Sequence, residues 1–137
     1  MDTGFDPIIG ALNTSMNLRE LEQNVISSNI ANADTPGYKA KRVEFESALR
    51  AALESDSAMK PAAGAPGQRT PHTTDPVQPE IYEDPNGVES LDGNTVDRGE
   101  EMARMSQNQL MFDASAEMLK RKLAMLKYAI QEGGGGR

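Results

Sequence analysis

From Met102 to Ile130 apolar residues return on a seven-residue repeat: Met102, Met105, Phe112, Ala116, Leu119, Leu123, Leu126 and Ile130, with Gln109 as the one polar member. Steps of three and four alternate without a slip, which is the seam of a helix that lies along other helices. A second column, Met111, Met118 and Met125, runs beside it at another heptad position. One stripe needs one neighbour and two stripes need more, so the methionine column is a candidate surface between subunits.

The N-terminal part is patterned in the same way. A helix is predicted from Ile8 to about Ala33, with Asp6 as a possible N-cap and Pro7 in the first turn. One seam reads Phe5, Ile9, Leu12, Met16, Ile26 and Ile30, interrupted by Arg19 and Gln23. Leu18, Leu21 and Val25 form a strip on roughly the opposite side. The first seam is expected to meet the C-terminal helix, and the strip to meet other subunits.

The helix stops at Asn29-Ile30-Ala31-Asn32-Ala33-Asp34-Thr35-Pro36-Gly37-Tyr38. Pro36 drives Thr35 out of the helical region. Thr35-Pro36-Gly37-Tyr38 suits a type II turn, with Pro second and a positive-φ Gly third. A short extended piece and a helix over about 44–54 follow, the latter from Phe45, Leu49, Ala52 and Leu53. Lys39, Lys41 and Arg42 read as a solvated face, with salt bridging to an acidic neighbour as the alternative.

Residues 55–95 change character. Six of the eight prolines fall here, with turns at Asp84-Pro85-Asn86-Gly87 and Asp92-Gly93-Asn94 and a strand-like piece at Val77 to Tyr82. The second long helix is predicted to start near Val96 or Asp97, capped by Thr95 or Asn94, and to stop before Gly133. Glu100 and Glu101 near its start and Lys120, Arg121, Lys122 and Lys127 in its second half complement the helix dipole. The carboxylates of 80–84 and 97–101 read as solvated.

The fold expected is mainly α. Two long terminal helices form an antiparallel coiled-coil-like hairpin around a Pro/Gly-rich, partly extended middle segment. The divisions are an N-terminal core helix (1–34), a turn, short helix and loop region (35–95), a C-terminal heptad helix (96–132) and a flexible tail (133–137).

Composition narrows the function. The chain has 137 residues, a net charge of −7 and no basic patch, which argues against nucleic-acid binding. It has no Cys, and its lone histidine, His72, sits in the Pro-rich loop without convergent ligands. No catalytic, cofactor-binding or metal-ligating constellation can be assembled. No run of about 18 apolar residues is present, so no span is expected, and no secretory signal of the usual pattern is visible.

With these residues laid out, Asn29, Ala31, Asn32, Thr35, Pro36, Gly37 and Tyr38 form a motif that resembles the signature of bacterial flagellar rod and hook axial proteins. The lead-in Asp92-Gly93-Asn94-Thr95-Val96-Asp97 and the run Lys120-Arg121-Lys122-Leu123 resemble the proximal rod members in particular. The resemblance implies a structural subunit that stacks helically at the proximal end of the periplasmic rod, transmits torque and is exported without a cleaved signal. It implies as partners the rod subunits FlgC, FlgF and FlgG, FliE, the inner-membrane MS ring and the flagellar type III export apparatus. It implies no cofactor and no enzymatic activity. FlgC itself is the alternative within the family, and a helical export adaptor or chaperone the alternative outside it.

Overall fold

The computed structural model describes residues 7–58 and 79–134. Expectations placed on Phe5, Asp6, His72, Val77 and residues 135–137 lie outside the described residues. Along the chain come α1 (Pro7–Ala31), β1 (Lys41–Val43), α2 (Phe45–Ala58), β2 (Ile81–Glu83) and α3 (Arg98–Gly133). The chain is mainly helical, its long N- and C-terminal helices pack against each other, and a short middle segment carries the strands.

α1 is the hub: α3, α2 and β1 all pack on it. Antiparallel register follows from two contacts, Asn29 with Glu101 and Gln23 with Asn108. This register brings Pro7 level with about Leu123, by the common ~1.5 Å rise of both helices. The last ten residues of α3 therefore run past the described start of α1.

β1 and β2 pair antiparallel, Lys41 with Glu83, Arg42 with Tyr82 and Val43 with Ile81. The strand expected from Val77 to Tyr82 is thus narrower and ends one residue later. The ladder is extended by Glu44 N–H to the Glu80 carbonyl (2.9 Å) and Asp84 N–H to the Ala40 carbonyl (2.8 Å). α3 begins at Arg98, slightly later than expected, because Asp97 is its cap: the Asp97 side chain accepts from Glu100 N–H at 3.1 Å. The acidic residues Glu100 and Glu101 follow directly, suiting the positive end of the helix dipole.

Among the described residues the buried apolar set is small: Leu18, Val25, Ile26, Ala40 and Ala48. Beside it, among the same residues, lie four buried polar side chains, Asn29, Asn94, Glu101 and Asn108. A thin apolar core with a polar spine leaves much apolar surface outside.

Candidate functional site

Two features stand out, a polar knot at one end of the helix pair and an apolar face along α3. The knot is built on the helix exit. Tyr38 N–H reaches back to the Thr35 carbonyl at 3.2 Å, and Gly37 has φ +72°, so the expected type II turn forms. The turn docks on residues 92–96. Gly37 N–H donates to the Asp92 carbonyl (2.9 Å), and Thr95 N–H donates to the Tyr38 carbonyl (3.1 Å). Thr95 Oγ1 accepts from Ala40 N–H at 2.8 Å.

Asn94 makes the closure specific. Its Nδ2 donates to the carbonyls of Asn32 (2.9 Å) and Thr35 (2.8 Å), and its Oδ1 accepts from Val96 N–H (2.7 Å). It thereby gives a second donor to two carbonyls of the turns that follow α1. Gly93, at φ +79°, turns the loop so that its backbone faces Gly37.

Beneath the turn, Asn29 is fully buried. Its Oδ1 accepts from Lys41 N–H (2.9 Å) and from the Tyr38 hydroxyl (3.3 Å). Its Nδ2 donates to the Lys41 carbonyl (2.9 Å) and to Glu101 Oε2 (3.0 Å). One amide therefore satisfies both backbone groups of Lys41 and ties α1, β1 and α3 together.

Glu101 is 1 % exposed and takes a second contact from Arg42 Nη1 at 2.6 Å. Arg42 Nε lies 3.0 Å from Asp84 Oδ2, and Nη2 lies 3.7 Å from Glu100 Oε1. Glu100 also accepts from Arg104 Nε (3.0 Å) and Nη2 (2.8 Å), and this contact raises the Arg104 guanidinium pKa above its ordinary value. Arg42, Asp84, Glu100 and Arg104 line an open polar groove of about 670 Å³ with Tyr82 and Arg98.

The solvated reading of these charges is corrected accordingly. Asp84 and Glu101 are sheltered by the Arg42 fork, and Lys39 pairs with Glu89 and donates to the Gly93 carbonyl at 3.0 Å. The physical reason is that β1 carries Arg42 onto the acidic start of α3, where desolvated opposite charges satisfy one another, while Lys41 remains exposed.

The helix faces are placed differently from the heptad reading. Asn108 and Glu101, seven residues apart, face α1; Asn108 Nδ2 donates to the Arg19 carbonyl (2.8 Å) and to Gln23 Oε1 (3.1 Å). Met105, Phe112, Ala116 and Leu119 are half-buried, whereas Met102, Leu123, Leu126 and Ile130 of the same seam are exposed. Met111, Met118 and Met125 are exposed as well. On α1, Leu18 and Val25 are buried within the single chain and Leu21 is half-buried. Ile26 is buried, and Ile9, Leu12, Met16 and Ile30 are half-buried. Arg19, an interruption in the seam, spans a partly buried site. Its guanidinium carbon lies 4.2 Å from the centre of the Phe45 ring, and Nη1 lies 3.2 Å from Glu22 Oε2.

Asn94, Glu101, Arg42 and Asn108 are the residues sequence reading missed. The lead-in around Asn94 carried a signal as a motif, whereas Glu101 and Asn108 offered only their shared seven-residue spacing. Among the described residues there is no group of three or more His, Cys, Asp or Glu able to hold a metal ion. No helix among them is long and apolar enough to cross a membrane.

Residues 11–39, from α1 to the turn, match the family described as flagella basal body rod protein. Over 135 residues the chain is 36 % identical to the flagellar basal body rod protein FlgB of Cereibacter sphaeroides, covering 94 % of this chain and 98 % of that protein. The chain belongs to the FlgB family of flagellar basal body rod proteins. FlgB of Escherichia coli K12 is 32 % identical over 87 % of this chain and 89 % of its own length. FlgB of Aeromonas hydrophila is 31 % identical over 96 % and 98 %. Membership decides in favour of the rod reading over an export adaptor, and of FlgB over FlgC. The chain is a structural subunit of the flagellar basal-body rod, and its place is the basal body. In this chain the knot joins the two terminal helices, and one side of α3 is left exposed.

Proposed function

We propose that this subunit assembles helically at the proximal end of the periplasmic rod and carries motor torque through its paired terminal helices. Its neighbours in this reading are FlgC, FlgF and FlgG among rod subunits, with FliE and the MS ring at the base. It reaches them through the flagellar type III export apparatus without a cleaved signal, and it performs no catalysis. The observation that carries the reading is the outer face of α3, where Leu110, Met111, Met118 and Met125 are exposed in the single chain. An apolar surface of this extent marks a binding face. Leu123, Leu126 and Ile130 add a second exposed apolar strip, on the side of α3 turned toward α1 but where α3 reaches and outruns the described start of α1.

The polar knot supports torque transmission by a different route. Directional hydrogen bonds and a sheltered ion cluster resist sliding of α1 along α3, which a smooth apolar seam would permit. Deletion of the gene, scored by swimming and by inspection of basal bodies, tests the reading. Loss of the rod with restoration by the wild-type chain is expected, and intact rods in its absence refute it. Leu119→Asp tests the helix seam more finely, with failed rod assembly as the expected result.

A further inference from the structure

We infer that the basic far end of α3 docks on the acidic arm (residues 80–92) of a second copy of this chain, giving a head-to-tail contact. The inference rests on the rod-subunit reading and names one partner of the exposed α3 face.

The two surfaces are complementary in both charge and polarity. Toward the far end of α3, from about the level of the described start of α1 onward, one side presents Lys120, Leu123, Lys127 and Ile130 at helical neighbour spacing, all exposed. The arm presents Glu80, Glu83 and Asp92 among Ile81, Val88 and Leu91, again all exposed. Val88 is 85 % exposed and Ile130 74 %. Each surface thus carries apolar side chains that a single chain leaves in water, flanked by charge mainly of one sign, with Glu117 beside Lys120 and Lys41 across from Glu83 as the opposite charges.

The geometry forbids an internal contact. The arm is fixed to the start of α3 by the Arg42–Asp84 pair and by the docking of residues 92–95 on the helix exit. Lys127 lies thirty residues along α3 from the N-cap Asp97, about 45 Å at ~1.5 Å per residue. Complementary patches at opposite ends of one rigid rod meet only between copies. Such a contact joins two different surfaces, so each copy keeps a free patch of each kind and the assembly stays open.

The chain has no cysteine, so engineered thiols report the contact without background. Full-length Leu91→Cys and Ile130→Cys chains, mixed and treated with a short bismaleimide, are expected to give mainly the mixed dimer. One chain carrying both substitutions is expected to give a ladder of oligomers. Dominant pairing of Ile130→Cys with itself overturns the inference, as does the absence of mixed product above a denatured control. A second arm uses sedimentation of Lys120→Glu/Lys127→Glu, whose self-association is expected to weaken about tenfold or more. Glu80→Lys/Glu83→Lys chains mixed with it are expected to recover the contact, and failure to recover refutes the charge pairing. Circular dichroism confirms that these surface variants fold. Rods that form in cells from chains giving no mixed product would refute this contact alone, whereas rods that form without the chain would refute the rod reading.

Discussion

Asn29→Asp is nearly isosteric and reverses one half of the amide. Oδ1 keeps its bonds to Lys41 N–H and to the Tyr38 hydroxyl, but the Nδ2 donor to the Lys41 carbonyl and Glu101 Oε2 becomes an acceptor. A second carboxylate then faces Glu101 at about the same 3.0 Å separation. Two unit charges at that distance repel by about 5–6 kcal/mol at an effective dielectric of about 20. Arg42, already 2.6 Å from Glu101, offsets part of this. The net loss at neutral pH is expected to be about 3–5 kcal/mol, the range for breaking a buried charged network. That is a large fraction of the roughly 5–15 kcal/mol that holds a domain folded.

The sign of the pH dependence follows from the same contact. Protonation turns the introduced carboxyl back into a donor, so its folded-state pKa lies above the ordinary value of about 3.9. The folded variant then binds a proton that the unfolded chain has released, so the penalty relative to wild type is small below about pH 4. It grows as pH rises toward the folded-state pKa and then levels off. Urea unfolding of both chains, followed by helix dichroism at about pH 4 and pH 7, measures the difference. A penalty under about 0.5 kcal/mol at pH 7, or one that grows as pH falls, would refute the role assigned to the Asn29 amide.

Other substitutions probe the remaining parts. Asn94→Ala removes donors to two carbonyls and should cost about 2–3 kcal/mol, with faster hydrogen exchange at Gly37 and Thr95. Gly37→Ala places a Cβ at φ +72° and should cost about 1–2 kcal/mol in urea titrations, while Gly37→Asn should be milder. Arg42→Lys replaces a fork reaching three carboxylates by a single ammonium and is expected to lose about 1–3 kcal/mol. Met118→Ser, on an exposed position, should leave stability within about 0.5 kcal/mol of wild type yet reduce rod assembly in cells.

The helices and the turn were legible because their causes are local. Pro36 and Gly37 fix the helix exit by backbone sterics alone, and the seven-residue repeat fixes α3 as one uninterrupted helix. The face α3 turns to α1 was not legible. Heptad logic assigns polar residues outward, but Glu101 and Asn108 point inward because partners on α1 and β1 satisfy them. That rotation brings Met102 to the surface, where seam logic would bury it, and Leu123 is exposed because α1 ends beside it. The closure by Asn94 was hidden for another reason. Its carbonyl partners lie 62 and 59 residues away, and an asparagine beside a turn glycine is ordinarily a local turn former.

The long reach of these bonds sets a clock. Asn29 waits for Glu101, made 72 residues later, and at about 5–20 residues per second synthesis takes some 4–14 seconds to cover that gap. Through that interval α1 has neither its clasp nor its partner helix, and most of a helix's stability in a protein comes from such packing. A chain made from its N-terminus therefore stays unfastened until nearly three-quarters of it exists. Any factor that must grip the N-terminal segment in an extended form has that interval in which to do so.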